Sequence, residues 1–351
     1  MPPEVPAVPA GNAPVTPAGN APVTPQPSWP APVPPVPPVP RRAPRPLPAD
    51  ATSGGLAFHR LVFLRPRSGA WTPVLTGLLG VAFYVAMLTI GVVVIFVMAL
   101  LDPAVSERLL SLDESVIFDL TDPVMLALLL ATIVAMLPAY VLASRIVNGP
   151  RVGYISSVAG RLRWSWMLLC TGASALIAVV STGLSFLLPS DGVGSGTVVA
   201  PDENPALWGT LAVLIIVVPL QAAAEEYIFR GYFMQAIGRW LRHPAFAILL
   251  PVPLFVLGHL YDPLGQAAVG IFAIAAGWLT WRTGGLEAAI ALHVVNNLVA
   301  FLLSLAGQSD VNDSSPGWSS LLFSLVLIGA YTAVVEWLLR RRRLGRTVIV
   351  A

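Results

Sequence analysis

The sequence predicts an all-α fold: a polytopic transmembrane helical bundle of about eight spans, with a disordered proline-rich tail at its N-terminus. Of the 351 residues, 56% are apolar and only 11% are charged, whereas an ordinary soluble domain has about 25% charged residues. The apolar residues form uncharged blocks long enough to cross a hydrocarbon core of about 30 Å. The lipid bilayer is therefore the expected solvent of this chain.

Residues 1–55 are predicted to form the tail. It contains the repeat GNAPVTPA, which begins at Gly11 and again at Gly19, followed by the run PVPPVPPVP. Such a composition cannot bury enough apolar surface to form a core, and it favours an extended spacer.

Eight apolar spans follow the tail, and the charges between them alternate in sign. Arginines precede the first span, acidic residues follow it, and the alternation continues to Arg340–Arg343 at the end. Because positive loops stay in the cytoplasm, both termini are expected there, in an integral protein of a bacterial cell membrane. Arginines at the ends of spans indicate topology, so no nucleic-acid partner is expected. The predicted spans are 74–101, 123–144, 164–188, 207–228, 244–260, 264–281, 286–306 and 318–339.

Ionisable and amide side chains within spans four, five and seven carry the functional signal. An ionised group at mid-membrane costs roughly 2.5–3.5 kcal/mol, so it marks a functional site by default. Glu336, close to the C-terminal arginines, is expected to be structural because it can reach the interface. The residues within the three spans are Glu225, Glu226, Arg230, His259, His293, Asn296 and Asn297.

The spacing in span four gives the two glutamates different roles. Glu226 and Arg230 are four residues apart with the acid first, which favours an ion pair on one helical face. Glu225 lies about 100° around the helix from Glu226 and is free to act as a base.

The depths of the two histidines can be estimated from the helical rise. If spans four and five form a hairpin near residue 242, Glu225 and His259 meet about 25 Å from the turn. The stretch GYFMQAIGRWLR must then project from the membrane or lie in its interface. His293 is only about 12 Å from the Gly284-Gly285 turn, so span seven must start deeper or tilt.

Three motifs, Glu225-Glu226-x-x-x-Arg230, Phe255-x-x-x-His259 and His293-x-x-x-Asn297, resemble the signature of the CPBP (Rce1-like, Abi) intramembrane proteases, a family of CAAX proteases and bacteriocin-immunity relatives. The resemblance covers about 205–305. It implies that Glu225 and His259 activate water, that His293 and Asn297 stabilise the oxyanion, and that Glu226, Arg230 and Phe255 support the motifs. The chain then divides into the tail (1–55), three N-terminal spans (56–204), the protease domain (205–306), and the last span with a basic tail (307–351).

The expected function is that of an intramembrane endopeptidase that cleaves a membrane-bound protein or peptide with activated water. No cofactor is certain. The family is classed with metalloproteases, and Glu225, His259 and His293 could hold a zinc ion. However, the sequence has no HExxH spacing, and the same residues suffice for a mechanism without a metal. The alternatives are a proton- or ion-coupled membrane transporter and a non-catalytic bacteriocin-immunity-type binding protein on the same fold.

Overall fold

The structure, a computed structural model, describes residues 47–111, 120–186, 196–310, 312–315 and 317–350. The GNAPVTPA repeats and the rest of the tail before Leu47 lie outside these residues. Residues 47–350 belong to one compact unit. Part of the predicted tail is ordered: Asp50–Ser53 is a short helix, α1, and its Ala51 is fully buried.

The prediction of an all-α transmembrane bundle is confirmed. In the described parts of the chain, seven stretches are long and apolar enough to cross a membrane. Two of these stretches begin directly after an aspartate, Asp122 or Asp262. In each, the aspartate side chain accepts hydrogen bonds from free N–H groups at the start of the helix, and a proline occupies the first turn. The spanning helices are α2 (Thr72–Leu101), α4 with α5 (Pro123–Val134, Met136–Asn148), α6 (Trp164–Ser185), α7 continuing into α8 (Leu207–Glu226, Met234–Trp240), α11 (Pro263–Thr283), α12 (Glu287–Leu305) and α13 (Trp318–Arg342). A short helix outside the membrane set, α3, covers Pro103–Leu110.

The fifth predicted span is wrong as a continuous helix. It consists of two short helices, α9 (Pro244–Leu249) and α10 (Val252–Leu257), followed by non-helical residues up to Asp262. Pro251 separates them, because proline lacks the N–H that a continuing helix needs and its ring crowds the preceding turn. The segment nevertheless runs the length of the bundle.

The two ends of the described chain meet at one end of the bundle. Strand β1 (Leu56–Ala57) pairs antiparallel with β2 (Thr347–Val348). This end is called the terminal end, and the opposite end, which carries residues 306–310 and 312–315, is called the loop end. Because both chain ends lie together, the number of passages between them is even, and the broken fifth segment supplies the eighth. Its far end bonds to the loop end, where the Asp262 N–H donates to Ser314.

Span four continues well past the two glutamates at the terminal end. Residues Tyr227–Phe233 form a π-helical turn between α7 and α8, so the helix runs on to Trp240. Its last turns pack against the 3₁₀-helix Phe58–Leu64, where Arg60 donates to the Gly238 carbonyl at 2.7 Å. A Cβ at Gly238 would collide with the backbone of His59, so this close approach requires glycine.

Span seven starts in the interior of the protein rather than at its surface. Glu287, its first helical residue, is fully buried and forms a two-pronged ion pair with Arg163, with a shortest distance of 2.7 Å. The 3₁₀-helix Val152–Ile155 and the residues after it cover the turn, and the Leu286 N–H donates to Ser156. The protein therefore buries the beginning of α12 under its own chain.

Candidate active site

Two consecutive carboxylates end α7, immediately before the π-helical turn. Glu226 is fully buried and Glu225 is 8% exposed. π-Turns are rare in helices and occur often at functional sites, since they change the direction in which side chains project. Adjacent positions on a helix point about 100° apart, so the two acids reach different partners.

Glu226 forms the centre of a buried relay. Its Oε1 accepts hydrogen bonds from Arg230 and from Nδ1 of His293, each at 2.8 Å. The predicted ion pair with Arg230 is present, and the bond to His293 adds a partner from α12. Because the carboxylate accepts, Nδ1 of His293 carries a proton. Glu226 therefore fixes the tautomer and the orientation of this imidazole, as outer carboxylates do for catalytic histidines.

Glu225 lies on the other side of the same imidazole. Its Oε2 is 3.5 Å from Nε2 of His293 and has no hydrogen-bond partner, while its Oε1 accepts from Gln221 at 2.9 Å. A separation of 3.5 Å is longer than an ordinary hydrogen bond. One oxygen of Glu225 is thus held in place, and the other is available for a proton.

A pair of side-chain amides joins Glu225 to the third motif. Gln221, on α7, accepts from Nδ2 of Asn297 at 3.1 Å, and Asn296 donates to Asn297 at 3.4 Å. The sequence analysis missed Gln221. The signal was available, because an amide stands inside an apolar span four residues before Glu225 and so shares its face.

Arg230 is buried and makes further contacts besides its ion pair with Glu226. It is 2% exposed, donates to the Ala273 carbonyl at 3.2 Å, and lies 4.5 Å from the centre of the Phe255 ring. Phe255 thus offers its negative face to the guanidinium. The same ring lies 4.8 Å, centre to centre, from the imidazole of His259, so Phe255 connects the first two motifs.

His259 approaches the site from the non-helical end of the fifth segment. Its Nδ1 donates to the Phe255 carbonyl at 2.8 Å, which leaves Nε2 as the acceptor in the neutral ring. No hydrogen bond or ion pair joins His259 to Glu225, and the imidazole that Glu225 faces is that of His293. The expected depth of His259 assumed a continuous helix, whereas the helix ends at Leu257.

A cavity of about 280 Å³ brings the second and third motifs together. His259, His293, Asn296 and Asn297 line it along with apolar side chains of α11, α12 and α13. Ser309, Asp310 and Asp313 from the loop end also line it. The imidazoles and an amide therefore face one space between membrane helices.

The expected zinc ligands do not fit a metal site in this arrangement. Across the described ranges, no three His, Cys, Asp or Glu side chains are grouped so that they could hold a metal ion. His259 and His293 line the cavity, whereas Glu225 bonds to Gln221 and makes no hydrogen bond or ion pair with His259.

Comparisons with known proteins agree with the resemblance seen in the motifs. The model of the family described as type II CAAX prenyl endopeptidase Rce1-like matches residues 207–299, a range that contains all three motifs. The chain is also 29% identical over 147 residues to the uncharacterized protein YyaK of Bacillus subtilis (strain 168). That alignment covers 37% of this chain and 48% of YyaK, so the chain spans about half of the relative's length. No solved structure matches the chain.

Proposed function

We propose that this chain, which is Rce1-like over residues 207–299, is an intramembrane endopeptidase that cleaves a membrane-bound protein or peptide with activated water. One observation carries the proposal. The buried relay of Arg230, Glu226 and His293 points an oriented imidazole at the unpartnered oxygen of Glu225.

Glu225 is the proposed general base. The water oxygen attacks the scissile carbonyl carbon while Oε2 of Glu225 takes one of the water protons. His259 orients the water, because its Nε2 is the free acceptor of a ring whose Nδ1 is occupied. When the tetrahedral intermediate collapses, the C–N bond breaks and Glu225 returns the proton to the departing amine. The products are a carboxylic acid, which then loses its proton to water, and an amine.

His293 and Asn297 are the proposed donors to the oxyanion. Asn297 uses one hydrogen of Nδ2 for Gln221 and keeps the other for the cavity. His293 donates from Nε2 when both ring nitrogens carry a proton, with Nδ1 held by Glu226 at 2.8 Å. Preorganised donors of this kind are often the largest contribution to acyl-transfer catalysis, because they need no rearrangement as charge develops.

The surroundings of the site indicate the class of substrate. The motifs lie on helices that are long and apolar enough to span a membrane, and the cavity reaches the loop end through Ser309, Asp310 and Asp313. A polypeptide anchored in the bilayer can therefore reach the site without leaving it. With the arginine-rich terminal end in the cytoplasm, as proposed from the sequence, the cavity faces the opposite side of a bacterial cell membrane.

Replacing Glu225 tests the proposal directly. Membrane peptides from cells with the native chain are compared by proteomics with those from cells with Glu225→Gln. We expect cleavage products to fall at least a hundredfold, since a positioned general base contributes about 10²–10⁴ in rate. An undiminished yield from Glu225→Gln would refute the assignment of the base.

Glu336→Gln is the matched control. Glu336 also lies on a spanning helix, but it pairs with Arg282 and Arg340 at 2.6 and 2.8 Å, away from the cavity. The same chemical change there should leave the cleavage products in place. A loss in both variants would point to damage to the membrane bundle rather than to loss of a base.

A further inference from the structure

The last spanning helix, α13, forms one wall of the cavity although it lies outside the segment matched by the family model. The lining positions recur at helical spacing, so they share one face of α13. Leu322, Leu325 and Val326 face elsewhere and are exposed. The lining residues of α13 are Ser320, Leu321, Phe323, Ser324, Leu327 and Ile328.

Helices α12 and α13 form a cleft that is closed toward the terminal end. There, the hydroxyl of Tyr331 donates to the Ala288 carbonyl at 2.8 Å, and Tyr331 is fully buried. Toward the loop end, α12 residues from Asn296 to Leu303 and α13 residues from Ser320 to Leu327 are separated by the cavity. The second and third motifs therefore line a cleft that opens toward residues 306–310 and 312–315.

Two hydroxyl groups on the α13 wall have no partner. Ser320 and Ser324 are half-buried, line the cavity, and make no side-chain hydrogen bond with any part of the chain that the structure describes. Serine in a helix commonly satisfies its hydroxyl by bonding to the carbonyl one turn back. These two hydroxyls instead remain available to a molecule in the cleft.

The spacing of the two serines matches an extended polypeptide. Four residues along a helix correspond to about 6 Å, and two residues of an extended chain correspond to about 6.6–6.8 Å. Backbone groups on one side of an extended peptide repeat with this same period. A peptide lying along α13 can therefore present one backbone group to each hydroxyl.

We propose that Ser320 and Ser324 bind the backbone of the substrate and hold it in extended form beside the site residues. The inference rests on the proposed endopeptidase function and deepens it. A peptide bond inside a helix is shielded, so the segment to be cleaved must give up its helical hydrogen bonds. In an apolar cleft each lost bond is costly, and the two serines replace bonds that water cannot supply. The preferred substrate is accordingly an anchored segment whose helix unwinds easily, rich in glycine or small residues.

Cleavage kinetics test the role of the serines. The probe is a set of synthetic peptides, each an apolar helix of about 20 residues with a glycine-rich, internally quenched fluorescent segment, reconstituted with the full chain in liposomes. For Ser320→Ala combined with Ser324→Ala, we expect KM to rise about tenfold, which corresponds to about 1.4 kcal/mol, and kcat to stay within about twofold. Threonine at both positions keeps the hydroxyls and should restore KM. Ser319→Ala, one position away and outside the cavity lining, is the matched control.

A binding measurement separates this inference from the endopeptidase proposal. In the Glu225→Gln chain, Phe323 is replaced by photoreactive p-benzoylphenylalanine and crosslinked to the same peptides, with Leu322 as the lipid-facing control position. If crosslinking depends on the two serines but the native chain does not cleave the peptides, the endopeptidase proposal is refuted and the proposed serine site is retained. An unchanged KM in the double alanine variant, failure of threonine to restore it, or absence of crosslinking at Phe323 would each overturn the serine site.

Discussion

Glu225 and Glu226 are adjacent and chemically identical, yet replacement by glutamine should lower the free energy of unfolding much more at Glu226 than at Glu225. Glu226→Gln removes the carboxylate paired with Arg230, whose side chain is almost fully buried. The Ala273 carbonyl and the rings of Phe255 and Phe272 would still contact Arg230, but none of them carries a charge. Breaking a buried ion pair by removing one partner costs about 3–5 kcal/mol, because the other charge stays desolvated.

Glu225→Gln should cost little stability. One oxygen of Glu225 accepts from a neutral amide, a bond that a glutamine oxygen can also accept, and the other oxygen has no partner. We expect a change within about 1 kcal/mol. The two variants should therefore differ by about 3 kcal/mol in the free energy of unfolding, although both lose activity.

Thermal and denaturant unfolding of the two purified variants in the same detergent would measure this difference, with the native chain as the reference. The reasoning is refuted if Glu225→Gln unfolds as early as Glu226→Gln, or if Glu226→Gln unfolds with the native chain. The first result would mean that Glu225 supports the fold as much as Glu226 does. The second would mean that the charge of Glu226 is not needed to balance Arg230. A cleavage assay on the same samples checks that both variants have lost activity.

Two further predictions concern other parts of the chain. Gln221→Leu removes the amide that joins Asn297 to Glu225. Because these two groups would then be misplaced, we expect kcat to fall about tenfold or more while KM changes little. An unchanged kcat would contradict the positioning role of Gln221. Burial lowers the pKa of His59, and Nε2 of this ring donates to the Arg242 carbonyl at 2.9 Å. As pH falls below about 6.5, the unfolded chain takes up a proton that the folded chain resists, so stability declines. His59→Gln, which keeps a donor for that carbonyl, should weaken the decline in unfolding temperature between pH 7.5 and 5.5; an equal decline in both proteins would exclude His59 as its source.

The motif spacing predicted contacts within one helix better than contacts between helices. Glu226 and Arg230 form the pair expected from a separation of four residues, because the helical period places such side chains on one face. The bond between Glu226 and His293 joins helices 67 residues apart in sequence, and no local period encodes it. Gln221 escaped notice for a related reason. An uncharged amide is a weak signal until the structure shows that it accepts from Asn297.

The fifth segment shows where an argument from residue counts fails. Its apolar composition predicted a continuous span, but Pro251 and the non-helical residues after Leu257 change the rise per residue. The depth of His259 could not be counted from the turn once the helix was broken. The predicted boundaries at 55, 204 and 306 remain a prediction.

The sequence by itself determined that the chain is a membrane helical bundle and which side chains within it are costly enough to have a function. Both conclusions follow from transfer free energies, which depend on residue type and on the length of each apolar block. Only the tertiary structure decided which imidazole Glu225 faces, that Glu226 bonds to His293, and that α13 forms a wall of the cavity. These depend on contacts between helices distant in sequence, and such contacts are set by packing rather than by any local pattern.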